Sequence, residues 1–224
     1  TAMFSYIESR GGEYDETVLF GLQYIVKKYL TIRITQEMVD EAAEEFEAIG
    51  VPFNKEGWDY IANDLEGKIP LRIKSLPEGS VVRTKNVLVT IESTDEKVFW
   101  VVGWFETMLL RVWYPITVAT RSYKIKKIMK KYIDETSDNP ESIVWKLHDF
   151  GARGATTLES SEIGGLAHLV NFFGSDTTAA IRPARQFYSH KGFLMGSIPA
   201  SEHSTVTSWG EDDEADAYKN MLDT

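Results

Sequence analysis

A plan used three times in the last third of this 224-residue chain limits its fold more than any other feature. Each copy has a short apolar run, then a polar residue beside Gly or Pro, then a helix-like pattern. The copies are Val144 to Gly154 (VWKLHDFGARG), Val170 to Thr178 (VNFFGSDTT) and Ile198 to Ser204 (IPASEHS). Their landmarks Phe150, Asp176 and His203 lie 26 and 27 residues apart, near the length of a βα unit of about 30 residues. This spacing predicts successive strands of a parallel sheet or barrel. In such folds ligands bind where the carboxyl ends of strands meet the βα loops. His148, Asp149, Phe150, Arg153, Asp176, Glu202 and His203 would then surround one mouth.

The first two thirds read differently. Met3 to Ser9 alternates as a strand that Gly11-Gly12 ends. Val18, Leu22, Ile25, Val26 and Tyr29 recur at helical spacing, with Asp15 and Glu16 in the expected first turn. Thr35 is placed to cap a second helix burying Met38, Ala42 and Phe46, and Phe53 to Leu65 reads as a third around Trp58 and Ile61. Alternation around Ile69 to Ile73 and Val87 to Ile91 predicts two antiparallel strands flanking the turn Pro77-Glu78-Gly79. Ser93 and Glu96 have capping-box spacing before an apolar helix from Val98 to Val112, which Pro115 should stop. The following helix sets Ile125, Ile128, Met129 and Tyr132 against a run of lysines, read as a solvated face.

Composition excludes several classes. The chain has no cysteine, so disulfide, thiol and iron–sulfur chemistry are absent. A net charge of −10 disfavours nucleic acid and anionic membrane, so an anionic ligand needs a local basic pocket. No apolar stretch approaches a membrane span and no signal peptide is visible, so the expected location is cytoplasmic and membrane partners are not expected.

The candidate residues offer distinct chemistry. Arg153 is a fixed cation for phosphate or carboxylate, Phe150 an aromatic face for a flat ring, and His203 an acid, base or nucleophile beside two hydroxyls. Asp176 can accept a hydrogen bond from an amide, or equally cap a helix through its position before Thr177 and Thr178. His148 reads as a hydrogen-bonded core histidine, His168 as helix packing and His190 as a surface loop residue. Gly164-Gly165 suggests close backbone approach, and no phosphate-binding glycine motif occurs. Spacing alone supports an α/β domain with a small-molecule site.

The blocks DETVLFGLQYIVKKYL, FNKEGWDYI, PEGSVV with NVLVTIESTD, WFETMLLRVWYPITVAT, KLHDFGARG, GLAHLVNFFGSDT and PASEHSTVTSWG resemble, in order, the nicotinamide phosphoribosyltransferase family. The resemblance implies a type II phosphoribosyltransferase fold of the α/β class. In it, a mixed α+β N-terminal domain over residues 1–139 precedes the beginning of an irregular β/α barrel over 140–224. It implies an enzyme that joins nicotinamide to 5-phosphoribosyl 1-diphosphate, giving nicotinamide mononucleotide and diphosphate in NAD salvage. Mg²⁺ would assist, and ATP would phosphorylate an active-site histidine. A homodimer with a shared active site is implied too. By position, Phe150 matches the residue that stacks on nicotinamide, Arg153 one near the ring and ribose phosphate, and Asp176 the carboxylate facing the carboxamide. Ser197 matches a serine near that carboxamide, His203 the phosphorylated histidine, and Arg10 an arginine reaching phosphate across the dimer.

Two departures qualify the match. The family carries an aromatic segment before Thr1 and continues past Thr224 with most phosphate-binding loops, so the chain reads as an internal portion of such an enzyme. Trp145 stands where the family pattern has Tyr, altering a pocket wall. A non-catalytic nicotinamide-binding or dimerisation module, or a nicotinate-type enzyme, is the alternative reading.

Overall fold

A computed structural model describes residues 2–223 of the chain. Strand β1 (Phe4–Glu8) is followed by β2 (Glu16–Val18), and then by a short helix α1 (Leu22–Ile25) that runs into a π-helical turn, Val26–Leu30. Two helices follow, α2 (Gln36–Ala48) and α3 (Lys55–Asn63), then strands β3 (Leu71–Ser75), β4 (Val81–Arg83) and β5 (Val87–Ser93). β1 and β3 both pair antiparallel with β5, so the sheet order is β1-β5-β3, while β2 pairs with β4 in a separate ribbon. The antiparallel strands expected from alternation are therefore present, with Ile73 opposite Ile91.

The expected helix through Asp15 and Glu16 is corrected: Glu16 opens β2, opposite Arg83, and the helix begins only after Gly21. Gly21 has φ +96°, a left-handed conformation that separates strand from helix. Nor do the two acids serve a helix dipole; Lys124 lies 2.9 Å from Asp15 and 2.8 Å from Glu16. Thr35 does cap α2, accepting from the Met38 amide, but the buried residue is Val39 and Met38 is exposed. α3 buries Trp58 and Ile61 as expected.

The single helix expected over Val98 to Val112 is broken. Asp95, not Ser93, caps a short 3₁₀ turn, Glu96–Val98, by accepting from the Lys97 amide. Then come α4 (Val101–Trp104), α5 (Glu106–Leu110) and a 24-residue helix α6 (Trp113–Thr136). Pro115 starts that long helix rather than stopping its predecessor, because the first-turn amide it lacks has no intrahelical partner. Ile128 and Tyr132 project to solvent, so the buried face of α6 is its first half, including Ile116, Ala119 and Thr120. Its lysines are structural: Lys124 and Lys127 meet Glu16, Lys130 meets Asp134, and Lys126 donates to the Asn171 carbonyl.

The last third holds α7 (Leu158–Leu169), α8 (Ile181–Tyr188), α9 (His203–Thr207) and α10 (Glu214–Asp223). α7 lies along α6, and Ile163 and Leu166 enter the same core as Val18, Val89 and Leu109. Its two glycines permit this approach. A Cβ on Gly164 would stand 2.6 Å from the Tyr114 hydroxyl, and one on Gly165 would stand 2.8 Å from Thr177 Cγ2. No described helix is long and apolar enough to cross a membrane.

Candidate active site

The first two repeated segments and the stretch just before the third lie side by side and parallel, though as isolated bridges rather than full strands. Asp149 bridges Ser175, and Gly174 bridges Gly196. The amide of Asp149 donates to the Gly174 carbonyl at 3.1 Å, that of Asp176 to the Asp149 carbonyl at 2.9 Å, and that of Ser175 to the Gly196 carbonyl at 3.0 Å. Parallel order is thus as expected, but the second bridge falls at Gly196, just before the segment Ile198 to Ser204. Glycine explains the shortness. A Cβ on Gly174 would meet His148 Nδ1 at 2.8 Å, and one on Gly196 would meet Trp145 Cζ3 at 2.9 Å. Side chains of the first segment therefore cross over the backbone of its neighbours, and glycine gives up strand propensity to allow it.

Beyond the bridges the chain turns. The Asp149 carboxylate accepts from the Gly151 amide at 2.7 Å, starting the 3₁₀ turn Gly151–Gly154 that carries Arg153. Phe150 precedes this turn with 53% of its surface exposed, and its ring centroid lies 4.4 Å from that of His148 at 34°. The ring is thus presented to solvent beside polar groups, as an aromatic face free to stack on a flat ligand. His148 Nε2 is 3.3 Å from Asp176 Oδ1. The Ser197 hydroxyl donates a short hydrogen bond to the same oxygen. That bond, with a smaller contribution from His148, holds the Asp176 carboxyl below the usual carboxylate range.

The helix-cap reading of Asp176 is therefore set aside: the next 3₁₀ turn, Thr178–Ala180, has no side-chain cap, and the carboxylate faces Ser197 and His148. A cleft of about 370 Å³ opens at Asp176, bounded by Thr178, Ala152 and the start of α7 at Thr157. A second, of about 290 Å³, lies behind it between the bridges and α7, with Asp149, Gly165 and His168 in its wall. His168 is buried in α7 and sets its Nε2 2.9 Å from the Gly174 carbonyl, which pins that helix to the central bridge. Burial pushes the His168 pKa down, so the ring is neutral at pH 7. A roomier cleft of about 540 Å³, lined by Tyr29, Arg111, Trp113 and Glu159, contains none of the sequence-predicted residues.

Phe150, Asp176 and Ser197 are thus brought together, with Arg153 three residues beyond Phe150. Arg153 and Arg10 are exposed and have no side-chain partner among the described residues. His203 is the exposed first residue of α9, after Glu202, whose carboxylate accepts from the Ser204 amide at 2.6 Å. No contact among the described residues joins Arg10 or His203 to the Phe150–Asp176–Ser197 group. Sequence reading set His148 at the mouth but took it for a hydrogen-bonded core histidine, with no chemical role of its own. The missed signal was period two: in an extended segment, His148 and Phe150 point to one face.

The family described as "Nicotinamide phosphoribosyltransferase, N-terminal domain" matches residues 1–73, and the "Nicotinate phosphoribosyltransferase (NAPRTase) family" matches residues 145–224. A nicotinamide phosphoribosyltransferase of Xanthomonas campestris is 54% identical over 99% of this chain and 47% of its own length. One of Acinetobacter baylyi is 33% identical over 70% of this chain and 31% of its own length, and one of Mycoplasma pneumoniae is 34% identical over 73% and 35%. The chain therefore spans about half the length of the first of these relatives and about a third of the others. The crystal structure of human nicotinic acid phosphoribosyltransferase superposes with a TM-score of 0.57 at 20% identity, over 92% of this chain and 36% of that one. At that identity the likeness speaks for the fold, a type II phosphoribosyltransferase fold. Matched at both ends by these families and at 54% identity over nearly its whole length by a curated relative, the chain belongs to the nicotinamide phosphoribosyltransferase family.

Proposed function

We propose that the protein joins nicotinamide to 5-phosphoribosyl 1-diphosphate, forming nicotinamide mononucleotide and diphosphate in NAD salvage. The observation that carries this reading is the half-exposed Phe150 ring set beside an ionised Asp176. A flat neutral ring stacks on the aromatic face while its carboxamide N–H donates to the carboxylate. In the reaction the ring nitrogen bonds to the anomeric carbon as the bond from that carbon to the diphosphate oxygen breaks, and diphosphate leaves with the electron pair. Arg153 supplies positive charge to the phosphates, and Arg10 does so from the partner subunit of a homodimer. Both are exposed and unspent, which suits a ligand-facing cation in a chain of net charge −10.

In the same reading ATP transfers its γ-phosphoryl group to the exposed His203 ring, and ADP departs. The added negative charge orders substrate. Among the described residues no group of three or more His, Asp or Glu converges as a metal-ligand set. The Mg²⁺ that the resemblance implies thus finds no cage of side chains among the described residues.

Rates with nicotinamide and nicotinate in the full-length protein test the reading. The Asp176 carboxylate repels the carboxylate of nicotinate, so nicotinamide should be preferred by at least about tenfold in kcat/KM. A preference for nicotinate would overturn the role of Asp176 and favour the activity named in the second family match. Absence of any product would favour a binding or dimerisation module.

A further inference from the structure

We propose that His148 is a positioning residue that fixes the Asp176 carboxylate and thereby sets discrimination between carboxamide and carboxylate substrates. The inference rests on the function just proposed for Asp176. Its geometry is independent of that reading. His148 is mostly buried, with 11% of its side chain exposed, and is clamped from two sides. Phe150 covers one face at 4.4 Å, and a Cβ at Gly174 would lie 2.8 Å from Nδ1.

The ring has two buried nitrogens and neither makes a well-aligned hydrogen bond. Nδ1 faces the Cα of Gly174, which offers no acceptor. Nε2 faces Asp176 Oδ1 at 3.3 Å, long for a hydrogen bond, and Oδ1 is the acceptor the described residues set against it. A buried N–H without an acceptor costs more than a bare lone pair. The geometry therefore sets an N–H on Nε2, pointing at Asp176. Ser197 donates to the same oxygen. With Oδ1 turned to the Ser197 hydroxyl and to His148 Nε2, Oδ2 is left as the acceptor for a ligand N–H. An amide donates to that oxygen; a second carboxylate cannot.

Three variants and one spectrum test this in the full-length protein. His148→Leu removes the donor, His148→Gln keeps an N–H near the Nε2 position, and Asp176→Asn removes the charge. His148→Leu should raise KM for nicotinamide about tenfold with kcat within about twofold, and lower the nicotinamide-to-nicotinate kcat/KM ratio about tenfold. His148→Gln should stay within about threefold of the parent, as expected if the hydrogen bond, rather than ring packing, carries the effect. If Asp176→Asn shifts the ratio and His148→Leu does not, the positioning role fails while the proposed function stands. An Asp176→Asn variant that leaves the ratio unchanged overturns both. Failure of Gln to rescue also overturns positioning. Should the Leu variant not fold, long-range ¹⁵N–¹H correlation on histidine-labelled parent protein decides: the Nε2–H tautomer is expected at His148, and the Nδ1–H tautomer overturns it.

Discussion

Asp176 shows how one side chain can be tuned while it stays exposed to ligand. Its carboxyl is held below the usual range first by the Ser197 hydroxyl and then by His148. Because the folded-state pKa is depressed, the associated stability is fully present above the unfolded value of about 3.9 and is lost as pH falls through the lower folded value. Ser197→Ala removes the largest cause, so the Asp176 titration should move up toward the ordinary carboxylate value; a carbon-13 carboxyl titration that shows no movement would refute the assignment. Gly165 is tuned by space instead. Gly165→Ala puts a methyl 2.8 Å from Thr177 Cγ2 and 3.1 Å from Ala180 Cβ, forcing α7 off the central bridge. A loss of about 1–3 kcal/mol in urea unfolding is expected. The glycine pair was legible in the sequence as a close approach, and Phe150 as an aromatic face. The Asp176–Ser197 contact was not, because the two lie 21 residues apart and meet only through bridges too short to leave a strand pattern.

Among the elements, α1 has only four residues and could not stand on propensity alone. Glu78, from the turn after β3, supplies what it lacks. It accepts from the amides of Gly21 at 3.1 Å and Gln23 at 2.6 Å, and from the Tyr188 hydroxyl at 2.8 Å. One carboxylate thus caps α1 and ties it to the end of α8. Burial, with the negative charge of Glu78, pushes the Tyr188 phenol up, so it remains a donor at every working pH. Glu78→Ala should cost about 2–4 kcal/mol by orphaning three donors, and amide exchange should rise first at Gln23 and its neighbours. Unaltered exchange at Gln23 would count against the clamp. Pro77-Glu78-Gly79 was readable as a turn, but a cap delivered from 55 residues away leaves no local signature. The same limit explains β2. Thr17 and Val18 fit a helical period when read alone, yet become a strand because β4 pairs with them and Thr120 of α6 accepts from the Val18 amide at 2.9 Å.

At the scale of the molecule, the composition shift near Asn139-Pro140 does not interrupt the core. Ile7, Val18, Val89 and Leu109 from before that point share one buried cluster with Ile163, Leu166, Ala184 and Phe187 from after it. Polar ties follow the same route: Tyr24 donates to Glu162 at 2.7 Å, Tyr29 to Glu159 at 2.6 Å, and Gln23 to the Phe187 carbonyl at 2.6 Å. A smaller cluster around Val39, Trp58, Ile61 and Val101 sits apart. Leu166 belongs to the shared cluster and is 5% exposed, so Leu166→Ala should cost about 2–5 kcal/mol through lost burial and the cavity left behind. Because the cluster is continuous, that loss should lower one cooperative transition seen alike by probes before and after residue 139. Tryptophan fluorescence of Trp145 and amide exchange in β5 would therefore shift together. If Leu166→Ala loosens α7 while the exchange of β5 stays at its parent rate, the two halves fold separately and the site is carried by the last third alone. A shared shift would mean instead that the antiparallel sheet stabilises the bridges holding Phe150 beside Asp176, and that core substitutions far from the ligand weaken its binding through the fold.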